Sequence, residues 1–179
     1  MKTYYSLLIF FWCLLFITTE TRGQKIANEI ELEGVCRGTY NFPKSNRPPN
    51  PPIYYILEIT LTNNSDKILE FLTFNCTPSG NILIDSKKYR IYPNNCIQNT
   101  IATIKLDPEK KLCISVILET DSKIINDSIK IGWIFLNNQN TTDVDDFYKK
   151  LNQASQNNKN VIWSKKLSVG LYNKELEIL

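Results

Sequence analysis

The chain has 179 residues, a net charge of only +3, and not a single histidine. Without imidazole it cannot assemble a Ser-His-Asp or Cys-His catalytic group, nor the usual histidine ligands of a catalytic zinc. Its lysines and arginines are spread along the chain and form no patch for nucleic acid, and its six scattered glycines build no phosphate-cradling loop.

The N-terminal residues carry one basic side chain, Lys2, then an apolar run from Leu7 to Ile17 and a polar stretch ending in Thr21-Arg22-Gly23. That layout reads as a secretory signal, cut after Gly23 because small residues stand at Thr21 and Gly23. The apolar run is too short to span hydrocarbon, which takes roughly 20 apolar residues. Cys13 lies inside the run and does not close it, so a lipid anchor is not expected. Residues 1–23 are therefore expected to be a signal peptide and 24–179 a single domain, secreted or periplasmic, monomeric, with no membrane span after cleavage.

Ile26 to Tyr40 reads as a first strand region interrupted by Gly34 and Gly38. Pro43, Pro48, Pro49, Pro51 and Pro52 then mark an extended surface loop. From Ile53 the alternation is clear. Tyr55, Leu57, Ile59 and Leu61 point one way while Glu58, Thr60 and Thr62 point the other, and Asn63-Asn64-Ser65-Asp66 reverses the chain. Lys67 to Cys76 follows as a strand covered on both sides, since Leu72 and Phe74 share one face and Leu69 and Phe71 the other. Asn81 to Ile84 and Tyr89 to Tyr92 are expected to form a short hairpin.

Thr100 to Leu106 is the next strand. Asp107-Pro108-Glu109-Lys110 supplies a turn with proline at the position whose torsion it pre-sets. Leu112, Ile114, Val116 and Leu118 form another apolar face, as do Ile129, Ile131, Trp133 and Phe135. Thr141 to Gln153 breaks the pattern. Val144, Phe147, Tyr148 and Leu151 recur at helical spacing behind Thr142 or Asp143 as cap. A polar loop over Ser155 to Asn160 and two last strands, Val161 to Ser164 and Leu167 to Tyr172, close the domain. Trp133 and Trp163 are expected in or at the edge of the core.

Four cysteines, Cys36, Cys76, Cys96 and Cys113, remain after signal cleavage, the setting in which disulfides form and persist. Cys76 with Cys96 is the expected bridge, because the two flank a hairpin-sized excursion whose closure contributes about 3 kcal/mol. Cys36 with Cys113 would be the second pair, or both would stay as buried free thiols. There is no C-x-x-C spacing, so no metal and no cofactor is expected. Sequons stand at Asn63, Asn75, Asn126 and Asn140.

Many short strands separated by turn chemistry predict an all-β fold, an antiparallel sandwich with one short helix near 141–153. The run Ile59-Thr60-Leu61-Thr62-Asn63-Asn64-Ser65-Asp66-Lys67 and the later Ile104-Lys105-Leu106-Asp107-Pro108-Glu109 resemble pieces of immunoglobulin-like sandwiches from exported bacterial proteins. They are also similar to bacterial proteinase-inhibitor sandwiches. The resemblance covers the middle third of the chain and implies a fold without implying a site. It departs at Glu109, where such turns usually carry glycine.

The function expected from these features is a binding or structural module without catalysis, acting on a protein or glycan partner through loops or an exposed strand edge. The Pro-rich loop around Pro48 to Pro52 and the helix with its Asn-rich loop are the candidate contacts. One alternative is a proteinase inhibitor presenting the loop held by Cys76 and Cys96. The other is a glycan hydrolase, for which Asp143, Asp145 and Asp146 are the local carboxylates, though acids at a helix start also answer the helix dipole.

Overall fold

The computed structural model describes residues 29–40, 52–93, 96, 99–121, 126–137, 141 and 143–170. The expected signal peptide, the prolines from Pro43 to Pro51 and the C-terminal residues from 171 on lie outside them. Eleven strands follow in chain order: β1 Ile30–Tyr40, β2 Ile53–Asn63, β3 Leu69–Phe74, β4 Ile82–Ile84, β5 Arg90–Ile91, β6 Ile101–Leu106, β7 Lys111–Thr120, β8 Asn126–Ile129, β9 Ile131–Ile134, β10 Val161–Trp163 and β11 Leu167–Gly170. One α-helix, α1, spans Val144–Asn157. Among the described residues every strand pairing is antiparallel, and the elements are β-strands with α1 as the one long helix.

The first layer is a sheet in the order β1-β2-β7-β5. Its long strands alternate as expected: Tyr55, Leu57, Ile59, Leu61 and Leu118 are fully buried, while Glu58 and Thr60 lie on the other face. The second layer is built from β10-β9-β4, β11-β8 and β3-β6. β8 and β9 follow one another across a break at Lys130, where the backbone N–H bonds Asp85 Oδ1 at 2.7 Å. Facing them, β10 and β11 are broken at Ser164, whose Oγ accepts from the Ile131 N–H at 3.0 Å. The main core lies between the layers and joins Leu57, Ile59 and Leu118 to Phe71, Ile131, Trp133, Leu167 and Val169.

α1 covers the far face of the second layer. Phe147, Leu151 and Ala154 pack on Leu72, Phe74, Ile134 and Leu136, a smaller core of its own. β3 is thus covered on both sides, with Phe71 in the main core and Leu72 and Phe74 under the helix. The helix starts where expected, with Asp143 as cap accepting the Asp146 N–H at 2.9 Å. It runs on through Ser155 to Asn157, into the polar residues expected to form a loop, because Ala154 is buried and extends the apolar stripe by one more turn. It ends at Asn158 in the left-handed region.

The expected hairpin of Asn81–Ile84 with Tyr89–Tyr92 does not form. β4 pairs with β9 in the second layer and β5 pairs with β7 in the first. The two short segments belong to different layers, and short apolar runs carry no mark of the layer they join.

The layers are fastened at one corner by Asn63. Its backbone bonds Lys110 and Glu109 of the β6–β7 turn. Its buried side chain donates to the carbonyls of Lys67 and Leu106, at 2.7 and 2.8 Å, and accepts from the Ser65 N–H and hydroxyl. In that β6–β7 turn the Lys110 N–H bonds the Asp107 carbonyl, and Glu109 takes a φ of 61°. This is the type II arrangement, in which the third position demands positive φ and ordinarily glycine.

Candidate functional site

β1 is an edge strand of its sheet among the described residues, and it flanks the β10–β11 edge of the other layer. A groove of about 680 Å3 runs between them, lined by Ile30 to Gly34 on one side and Val161 to Leu167 on the other, with Asn64 also on its wall. That volume falls in the range of about 300–1,000 Å3 usual for ligand sites.

The direction of the backbone groups in β1 follows from one hydrogen bond. Asn64 N–H donates to the Glu29 carbonyl at 2.8 Å, and the β1–β2 register is unbroken from Ile30↔Asn63 to Cys36↔Leu57. In an antiparallel pair the bonded residues alternate, so Glu31 and Glu33 bond β2. Ile30, Leu32 and Gly34 turn their N–H and C=O groups outward, into the groove. Their side-chain positions face the core, while Glu31 and Glu33 stand exposed on the outer face of the sheet.

On the opposite wall Ile162 and Leu167 are buried and Lys165 and Lys166 are exposed. Trp163 is half-buried there, its indole N–H donating to Asn158 Oδ1 at 2.9 Å. None of the ion pairs among the described residues involves Glu31, Glu33, Lys165 or Lys166. The groove carries two acids on one wall and two bases on the other.

The flank narrows beyond Gly34. A Cβ built there would stand 2.7 Å from Leu167 Cδ2, so glycine is what lets β1 approach β11. Two residues on, the Cys36 thiol meets the backbone of Gly170, and burial pushes its pKa up. The groove therefore has an open stretch along Ile30 to Gly34 and ends where the two edges converge.

Cys76 and Cys96 form the expected disulfide. The second expected pair does not exist: Cys36 is a buried free thiol and Cys113 an exposed one. Register explains this. Cys36 lies opposite Leu57, which lies opposite Val116, whereas Cys113 lies opposite Thr60. The two cysteines are two strands apart, about 10 Å, and three residues apart along the strands, another ~10 Å. An odd offset also places them on opposite faces, far outside the roughly 7 Å a disulfide allows.

Of the three acids nominated for hydrolysis, Asp143 and Asp146 are occupied at the helix start, and Asp145 stands exposed in its first turn. Asp143 is the cap, and Asp146 bonds Lys150 at 2.7 Å. Among the described residues no group of three or more acids and cysteines could hold a metal ion. Of the sequons, Asn63 is fully buried and spends its amide on the corner, whereas Asn75 is exposed. Asn140 and the Asn126 side chain lie outside the described residues, as does the Pro-rich loop except Pro52.

Two further polar clusters sit away from the groove. Arg90 on β5 reaches Glu119 at 2.8 Å and Asp121 at 3.2 Å beside the edge-on pair Tyr54 and Tyr92. Near β8, Asp127 accepts from the Ser128 N–H and from Lys88, which hold its carboxyl below the usual range, while burial and that carboxylate push the Tyr89 phenol up. Both clusters are internally paired.

No family model matches the chain, and no curated protein does. Among solved structures, the crystal structure of a FixG-related protein from Vibrio parahaemolyticus aligns over 80% of this chain and 96% of that one, at 9% identity and a TM-score of 0.40. Neither fold nor function is carried over at that likeness. The described residues contain no helix long and apolar enough to cross a membrane.

Proposed function

We propose that this chain is an exported immunoglobulin-like sandwich that works by binding, without a catalytic step, and that its ligand lies in the groove between β1 and β10–β11. The observation that carries the reading is the groove itself: outward backbone groups of Ile30, Leu32 and Gly34 facing a wall with two lysines that make no ion pair among the described residues. A row of free donors and acceptors on an edge strand is either blunted against association or used for it. Here the edge keeps an open stretch that is five residues long. Export is supported by the signal-like N-terminus and by the Cys76–Cys96 bridge, since disulfides persist outside the cytoplasm.

The test is selection of binders from a random peptide library on the mature protein, followed by affinity measurements on two variants. Lys165→Glu/Lys166→Glu is expected to change the affinity of the selected binders, and Lys149→Glu on the exposed side of α1 to leave it unchanged. Binders indifferent to the groove variant would refute the assignment. Mass analysis of the protein recovered from an exporting host, with and without reductant, checks cleavage after Gly23 and the single bridge.

A further inference from the structure

We propose that the occupant of this groove is an extended segment with lysine or arginine at alternate positions, which adds to β1 as a fifth strand of the first sheet. The inference rests on the groove reading and goes on to state the chemistry of the ligand. Three features of the edge lead to it.

The outward N–H and C=O groups of Ile30, Leu32 and Gly34 recur every second residue, or about 6.7 Å along the strand. Another extended backbone has the same repeat. A compact small molecule does not. Strand addition would satisfy the whole row, with main-chain bonds giving affinity and alternate side chains giving selectivity.

Selectivity comes from Glu31 and Glu33. They project from the exposed face on either side of Leu32, without an ion pair among the described residues. An added strand puts its own outer-face side chains about 5 Å from theirs, where opposite charges stabilise and like charges destabilise. Lys165 and Lys166 on the other wall act against a uniformly basic segment. The pattern they select has basic residues on the Glu31 and Glu33 side and uncharged or acidic residues between them.

A second copy of the chain fits poorly. Antiparallel pairing of β1 with β1 within the open stretch sets Ile30 against Gly34 and Glu31 against Glu33, so two acid pairs face each other. Shifting the register toward Arg37 would avoid this. That shift is blocked where Cys36 and Gly170 close the flank, and Arg37 is already bonded to Glu58.

The experiment uses fluorescein-labelled peptides on the disulfide-bonded mature protein, read by anisotropy. Acetyl-Thr-Lys-Val-Lys-Val-Lys-Thr-amide is compared with its Glu-for-Lys counterpart and with an all-lysine heptamer. The alternating lysine peptide is expected to bind at least about fivefold tighter than the glutamate peptide, with the all-lysine peptide weaker than the alternating one. Glu31→Lys/Glu33→Lys, both exposed positions, is expected to invert the preference. N-methylation of alternate backbone nitrogens is expected to abolish binding in one phase and spare it in the other.

Equal binding of both alternating peptides, or N-methylation that abolishes binding in both phases or in neither, overturns the proposal. If the lysine peptide fails while library-selected binders still respond to Lys165→Glu/Lys166→Glu, the groove stands and the basic strand falls. If those binders are indifferent too, the groove reading falls with it. Sedimentation showing a dimer that the lysine peptide cannot dissociate would assign the groove to a second copy and also overturn the proposal.

Discussion

Replacing Asn63 with alanine removes four hydrogen bonds at the corner where both β2–β3 and β6–β7 cross between layers. Their losses are unequal. The Lys67 carbonyl keeps the Ser65 hydroxyl as donor at 3.1 Å, and the Ser65 groups can turn to solvent. The Leu106 carbonyl bond is buried and has no such substitute. An unsatisfied buried acceptor costs about 1–3 kcal/mol and each ordinary bond about 0.5–1.5, which together predict a loss of about 3 kcal/mol. That is a large part of a stability of roughly 5–15 kcal/mol.

Urea unfolding of the oxidised protein measures it. With a slope of roughly 2 kcal/mol/M, the midpoint should fall by about 1.5 M with the slope unchanged. Asn63→Asp should cost more, about 3–5 kcal/mol, because it keeps the shape but turns an oxygen and a charge toward two carbonyls. A loss below about 1 kcal/mol for the alanine variant, or parity between aspartate and asparagine, would refute this account of the corner.

Other outcomes follow from single positions. Glu109→Gly should stabilise the protein by about 0.5–1 kcal/mol, since φ is 61° there and glycine meets no Cβ penalty; the urea midpoint checks it. A thiol reagent should modify Cys113 in the native protein and Cys36 only after unfolding, followed by mass. Cys113→Ser should then change stability by less than about 0.5 kcal/mol, while Cys36→Ser buries a hydroxyl in the core at a cost of about 1–3 kcal/mol. Asp127 has a depressed folded-state pKa. Its contribution is present above the unfolded value near 3.9 and is lost as pH falls through the lower folded value. Asp127→Asn should therefore flatten the fall of the urea midpoint as pH drops below about 4, and an unchanged acid limb would count against it.

Much of the sheet was readable from the chain because alternation encodes which face is buried. β2, β7 and β9 sit where Tyr55, Leu118 and Trp133 place them, and β3 is two-faced because Phe71 and Leu72 are both apolar. The helix was legible from its stripe and cap, and the Cys76–Cys96 bridge from its spacing. What local pattern did not carry was partnership across the fold. β4 and β5 look like a hairpin until their partners are known, and Cys36 and Cys113 look like a pair until register puts them on opposite faces. Asn63 read as a sequon and turn residue, and only its burial reveals the clasp.

The groove was the least legible part. The acids of Glu31-Leu32-Glu33 and the dipeptide Lys165-Lys166 are visible in the sequence as ordinary solvated charges. Their meaning arises only because β1 is the edge of its sheet among the described residues and β10–β11 flanks it, a property of long-range topology. From the sequence alone Gly34 and Gly38 read as interruptions of the strand. Gly34 instead lies within it, allowing close approach, and the irregularity falls at the bulge between Cys36 and Gly38.

Residue-resolved amide hydrogen exchange along β1, with and without a groove-bound peptide, tests the central claim most directly. In the free protein the amides of Glu31 and Glu33 should be protected and those of Leu32 and Gly34 exchange fast, because only the odd-numbered groups bond β2. Saturating peptide should slow Leu32 and Gly34 by at least tenfold while leaving Glu31 and Glu33 unchanged. Uniform protection of the strand before binding, or a peptide that protects none of its even-numbered amides, would contradict the claim that this edge is the binding site.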